Sequence, residues 1–212
     1  MKRILITITS VVLAVSGTFC GCGKKESKVE DILTESEKAF SEKYKDVPDD
    51  EEGPILSISN TSAPAGGRAE VTVSVKNAAD KWNVCGIHVA YPEELDCVNT
   101  QEEGNEAEYE LGEAAEDANF SSAMEWHGER PEEMEKKKLG AFFFTAGFTM
   151  QGGGDGDIVT FYLDIPENAE SGTVYPIEFY FFDADIFTDL SENRSMEKYA
   201  FSHWESGSVT VE

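Results

Sequence analysis

The run Ala69-Glu70-Val71-Thr72-Val73-Ser74-Val75 alternates apolar and polar residues with a period of two. This period constrains the fold more than any other feature of the chain. It is the period of a strand that buries one face and wets the other, and it cannot gather its apolar residues on one face of a helix. Strand-like runs recur throughout residues 54–212, at 55–59, 84–91, 107–112, 120–126, 139–148, 158–165, 175–182, 199–204 and 208–211. Pro64-Ala65-Gly66-Gly67 and Gly152-Gly153-Gly154-Asp155-Gly156-Asp157 supply turns between them. Residues 131–138 are the one helical-looking interruption, and they read as a loop turn rather than a packed helix. Many short strands with almost no helix predict an all-β sandwich or jelly roll.

The chain before residue 54 has a different character. Lys2 and Arg3 precede an apolar stretch that ends at Ser16-Gly17, which is the form of a signal peptide over residues 1–21 and too short for a spanning helix. Phe19-Cys20-Gly21-Cys22-Gly23 resembles a bacterial lipobox, which makes Cys22 the expected site of lipidation. The chain is then exported and held at the outer face of the cytoplasmic membrane, at the cell surface. Residues 22–53 are rich in Lys, Glu, Asp and Ser. Their partial i, i+3, i+4 spacing allows a helix over about 29–45, but they carry too little apolar surface to fold alone and read as a spacer. Pro48-Asp49-Asp50-Glu51-Glu52-Gly53 marks the boundary.

With 42 acidic residues against 17 Lys and Arg, the net charge is −25. A nucleic-acid partner is excluded by that balance, because binding a phosphate backbone needs a basic footprint. Cys85 and Cys97 are the two cysteines of the strand-rich part, and a bridge or two free thiols are both open readings.

The order of these strands resembles a cohesin domain. The resemblance lies in residues 55–58 with Gly66-Gly67, in Val71-x-Val73-x-Val75-x-Asn77, and in Gly86-Ile87-His88-Val89-Ala90-Tyr91 with Leu95. It continues through residues 158–166, 171–177, 182–185 and 207–211. It implies a flattened jelly-roll sandwich of about nine strands that binds a dockerin, a small domain carrying its own calcium. The partner is then a dockerin domain of a secreted enzyme or scaffold of a polysaccharide-degrading complex, the calcium is the partner's, and this chain needs no cofactor.

If the resemblance holds, one outward sheet face meets the partner. On strand 84–91 that face carries Val84, Gly86, His88 and Ala90, with Cys85, Ile87, Val89 and Tyr91 turned to the core. Gly86 and Ala90 leave room for a helix, His88 is a hydrogen-bond donor and Val84 adds apolar area. Met124, Trp126, Phe143 and Thr145 are the candidates on the neighbouring strands. A carbohydrate-binding sandwich or a generic surface adhesin is the alternative, and an exposed row of Trp82, Trp126 and Trp204 would favour sugar. Asp183-x-Asp185 with Asp189, and Asp155-x-Asp157, lack the spacing of a helix-loop calcium site and read as solvated loops. Catalysis has no support: His88, His127 and His203 have no metal-binding spacing, and Glu125 and Glu205 do not stand out among so many carboxylates.

Overall fold

The computed structural model describes residues 32–47, 53–100, 104–126, 129–150, 152–189 and 195–212. The expected signal peptide over residues 1–21, Cys22 and His127 lie outside the described residues. The alternating runs become the two layers of a β-sandwich. One layer orders β1 (Ile55–Ile58), β3 (Arg68–Lys76), β9 (Gly156–Asp164) and β5 (Asp96–Cys97), with β6 (Tyr109–Leu111) also on β9. The other orders β2 (Asn60–Ala63), β12 (Gly207–Val211), β10 (Val174–Tyr180), β4 (Val84–Pro92), β8 (Leu139–Gly147) and β7 (Asn119–Ala123), with β11 (Ile186–Thr188) also on β4. The expected jelly-roll sandwich is what forms.

Period two decides which side chains meet between the layers. On β3, Ala69, Val71, Val73 and Val75 are buried, and Glu70, Thr72 and Ser74 face out. On β8, Phe142, Phe144 and Ala146 point inward, and Phe142 stacks on Phe161 of β9 with ring centroids 4.1 Å apart. This pair spans both sheets, so it ties the layers at their centre.

Trp82 explains the glycine-rich loop. A Cβ at Gly153 would lie 2.1 Å from Trp82 Cε2, so only glycine lets the backbone pass over the buried indole. Trp82 Nε1 donates to Gly154 O at 3.0 Å. Asp155 Oδ1 accepts from the backbone N–H groups of Ala78 and Ala79 at 2.6 and 2.9 Å, and Asp157 Oδ1 accepts from Ser74 Oγ. Asp155 thus holds a turn and Asp157 a cross-strand pair with Ser74, and among the described residues no group of three or more His, Cys, Asp or Glu is arranged to hold a metal ion. Asp155→Ala strands the half-buried Ala78 amide and is expected to cost about 2 kcal/mol, measurable by denaturant unfolding. An unchanged midpoint would show that the loop does not depend on the cap.

Two segments differ from the sequence reading. Residues 199–204, expected as a strand, fall largely in a helix, α3 (Ser195–Ser202). The pairs Met196/Ala200 and Glu197/Phe201 stand four apart, and Glu197, Tyr199, Ala200 and Phe201 are buried. A short aromatic run cannot by itself be told from a strand. Residues 131–138 form a packed helical turn, α2 (Glu132–Lys137), which buries Met134 and ends at Lys138 with φ 54°.

Ahead of the sandwich, α1 (Ile32–Tyr44) lies within the range where the spacing allows a helix. It is docked on the sandwich. Tyr44 is buried, and the Phe40 and Tyr44 rings lie 5.7 and 5.8 Å from that of Phe181, just past the end of β10. Lys198 of α3 donates to Val47 O at 2.8 Å.

Candidate functional site

The two outer faces of the sandwich differ in chemistry. The outer face of β3 and β9 is polar and charged. Arg68 Nε donates to Asp164 Oδ1 at 3.0 Å, and Thr72 and Thr160 share a hydrogen bond. Burial and the neighbouring Glu110 push the Tyr162 phenol up to about 12.

The outer face of β4, β8 and β7 mixes apolar and small residues with hydroxyl and amide side chains, and strand register assembles it in rows. Ile186, Gly86, Thr145 and Ser121 lie side by side across β11, β4, β8 and β7, and Thr188, Val84, Gly147 and Asn119 form the next row. Between these rows a shallow open groove of about 340 Å³ is lined by Val84, Gly86, Asn119, Phe143, Thr145, Ala184 and Ile186. Its polar rim includes Ser121 Oγ and Thr145 Oγ1, 2.7 Å apart. Gly86 is its floor. A Cβ there would sit 3.6 Å from Ile186 Cγ2 and Thr145 Cγ2. Of the eight positions expected on the partner face, Val84, Gly86, Phe143 and Thr145 converge on this groove.

His88, Ala90 and Trp126 do not, and their expected exposure is corrected. Each is less than 10% exposed. The covering comes from an excursion of the chain: residues 181–185 leave the sheet between β10 and β11, which pair with successive stretches of β4. The excursion brings Phe182 over His88 with ring centroids 4.5 Å apart, and Asp185 Oδ1 to 2.8 Å from His88 Nδ1. Trp126, placed past the end of β7, stacks on His88 at 5.8 Å. Ala90, Trp126, Met134, Leu139, Ala141 and Tyr180 form a separate apolar cluster beside α2. Met124 is half-buried against the main core instead.

The His88–Asp185 pair is therefore internal. Asp185 Oδ2 also accepts the Phe182 N–H at 3.1 Å. Burial pushes the Asp185 carboxyl above its ordinary range, and the His88 hydrogen bond and charge, the Phe182 amide and the Lys43 ammonium pull it back. His88→Ala should leave this carboxylate without its ring partner beside a new cavity. The expected cost is about 3 kcal/mol, or a melting point lower by roughly 10 °C. A melting point unchanged in calorimetry would return His88 to the surface. The sequence could not show this, because Asp185 lies 97 residues from His88 and only the excursion joins them.

The exposed row of Trp82, Trp126 and Trp204 is not formed. Trp82 lies in the core, Trp126 is covered, and Trp204 is half-buried, stacked on Phe179 at 5.7 Å. Cys85 and Cys97 are free thiols, Cys85 in the core. Leu111, Met150 and Val174 are the large apolar residues left exposed among those described, and none of them lines the groove.

The architecture is a two-layer sandwich with one grooved outer face, and solved structures name the fold. No family model and no curated protein matches the sequence. A type III cohesin module from the cellulosomal ScaE cell-surface anchoring scaffoldin of Ruminococcus flavefaciens is 24% identical, with 76% of this chain and 89% of the module covered and a TM-score of 0.61. The OlpA cohesin of a type I cohesin–dockerin complex from Clostridium thermocellum is 21% identical, with 76% and 99% covered and a TM-score of 0.53. The sixth cohesin of scaffoldin B from Acetivibrio cellulolyticus, solved with a Cel5 dockerin, is 15% identical, with 76% and 99% covered and a TM-score of 0.54. The likeness is one of fold: this chain has the cohesin jelly-roll sandwich.

Proposed function

We propose that this chain is a non-catalytic binding module that captures a dockerin-bearing enzyme or scaffold through the groove of β4, β8 and β7. The observation that carries the reading is the convergence of Val84, Gly86, Phe143 and Thr145 on one open apolar groove, in a fold whose solved examples include dockerin complexes. A groove floored by glycine and walled by Ile186 and Phe143 accepts the apolar side of a helix, and the Ser121–Thr145 rim offers hydroxyls to its polar edge. Calcium belongs to the dockerin in this reading. The polar outer face of β3 and β9 stays in solvent.

The sandwich of residues 54–212 is the binding unit, and lipidated Cys22 holds it at the cell surface. A single module so placed holds one partner at a time. Isothermal calorimetry against a panel of dockerins tests the capture: binding is expected with calcium and lost with a chelator. Binding to polysaccharide alone would sink the reading. Labelled fatty acid tests the anchor separately, since it should enter the protein and be absent from Cys22→Ala.

A further inference from the structure

The groove wall is held partly from outside the sandwich. An ammonium group has three donors, and those of Lys43 on α1 meet three acceptors. Nζ lies 2.6 Å from Asp183 O, 3.1 Å from Asp185 O and 3.1 Å from Glu197 Oε1 on α3. The two carbonyls flank Ala184, which lines the groove next to Ile186. The same ammonium lies 5.2 Å from the Phe181 ring centroid, at the point where the excursion leaves β10. Within the excursion, Asp185 N donates to Phe182 O at 2.9 Å, and Asp185 Oδ1 reaches His88, whose ring lies 4.5 Å from that of Phe143 on the groove wall.

We infer that Lys43 is a positioning residue for the groove, so that α1, ahead of the sandwich, sets the shape of the wall that meets the partner. Lys43 touches neither the groove nor a ligand in it. It fixes the turn at residues 183–185, whose tip is Ala184 and whose Asp185 orients His88 beneath Phe143. A chain lacking α1 would keep both sheets and hold this wall loosely. The inference rests on the proposed function only in taking the groove as the place of capture; the fixing of the turn is independent of any partner.

Hydrogen–deuterium exchange on the purified full chain tests it, comparing wild type with Lys43→Met and with Lys43→Met/Glu197→Gln. The double variant removes the carboxylate that the single variant strands. In both, the Phe182 and Asp185 amides are expected to exchange ~10-fold faster or more, with the β9 amides unchanged. Unchanged exchange at residues 182–185 overturns the inference. Acceleration shared equally by β9 also overturns it, because Lys43 would then act on global stability alone. Acceleration in the single variant but not in the double overturns it as well, because the effect then belongs to the stranded Glu197. For a dockerin that the wild type binds, the double variant should raise Kd ~10-fold by calorimetry, as a wall that must be ordered on binding would. An unchanged Kd with a loosened turn counts against it. If no dockerin binds wild type, the proposed function fails, and the exchange result still decides the role of Lys43.

Discussion

Gly86→Glu is expected to abolish capture of a dockerin while leaving the sandwich folded. The first added atom fits, since a Cβ at Gly86 meets its nearest neighbours at 3.6 to 3.8 Å, an ordinary contact distance. The remaining atoms have only the groove to enter, where they occupy the space of the partner and present a carboxylate that binding would desolvate. Losing a central contact and burying an unpaired charge should weaken binding ~100-fold or more, about 3 kcal/mol. Ala90→Glu is the contrasting variant. Ala90 lies in the cluster with Trp126, Met134 and Tyr180, so a carboxylate there should lower the melting temperature sharply. Calorimetry with a parallel thermal melt separates the two. Tight binding by a folded Gly86→Glu protein would place the interface elsewhere.

The second large effect is chemical. Burial pushes both Cys85 and Cys97 up to about 12. At pH 8 the native thiolate fraction is then ~10⁻⁴, against roughly a tenth for a thiol at the ordinary value of 9.0. Because the thiolate is the nucleophile, iodoacetamide should modify Cys85 and Cys97 ~1000-fold more slowly in the native protein than in guanidinium. Peptide mass mapping distinguishes them from Cys20 and Cys22. Stability follows with a definite sign. Both native values lie above the unfolded value near 9, so the unfolded chain releases these protons first as the pH climbs. The contribution is fully present below pH 9 and is lost between 9 and about 12, at about 1.4 kcal/mol per unit for each thiol. Urea unfolding at pH 8 and 10.5 should show the decline, and a Cys85→Ala/Cys97→Ala protein should show less of it. Equal labelling of native and unfolded protein would refute the assignment.

Most of the sandwich was legible in the sequence because period two is a local signal. The alternation of Val71, Val73 and Val75 states which face is buried without reference to any partner strand. The two faces of β4 were likewise legible, with Cys85, Ile87, Val89 and Tyr91 inward. What covers the other face was not. His88 and Ala90 stand at outward register positions, but the chain excursion at residues 181–185 and the Trp126 loop close over them, and neither has a periodic pattern. Val84, Gly86, Phe143 and Thr145 were legible as outward register positions, and the structure sets them along one groove that Ala184 and Ile186 flank. The docking of α1 was hidden for a related reason: its anchors, Phe181 and Glu197, lie far along the chain, and nothing in the spacing of residues 32–44 points to them.

The short strand β2 runs parallel to β12, with Asn60 opposite Ser208 and Ala63 opposite Val211. Its neighbour β1 belongs to the other layer, so the first strands of the sandwich serve both sheets at once. The Asn60–Ser208 contact closes a loop of 148 positions, a separation at which chain closure is entropically costly and slow. During synthesis, β2 therefore has no partner until almost the whole sandwich has emerged. Nascent chains should carry an open, unclosed layer edge until the last strand arrives, and the polar residues Asn60 and Ser62 on β2 suit that waiting period, because a polar edge discourages pairing with other chains.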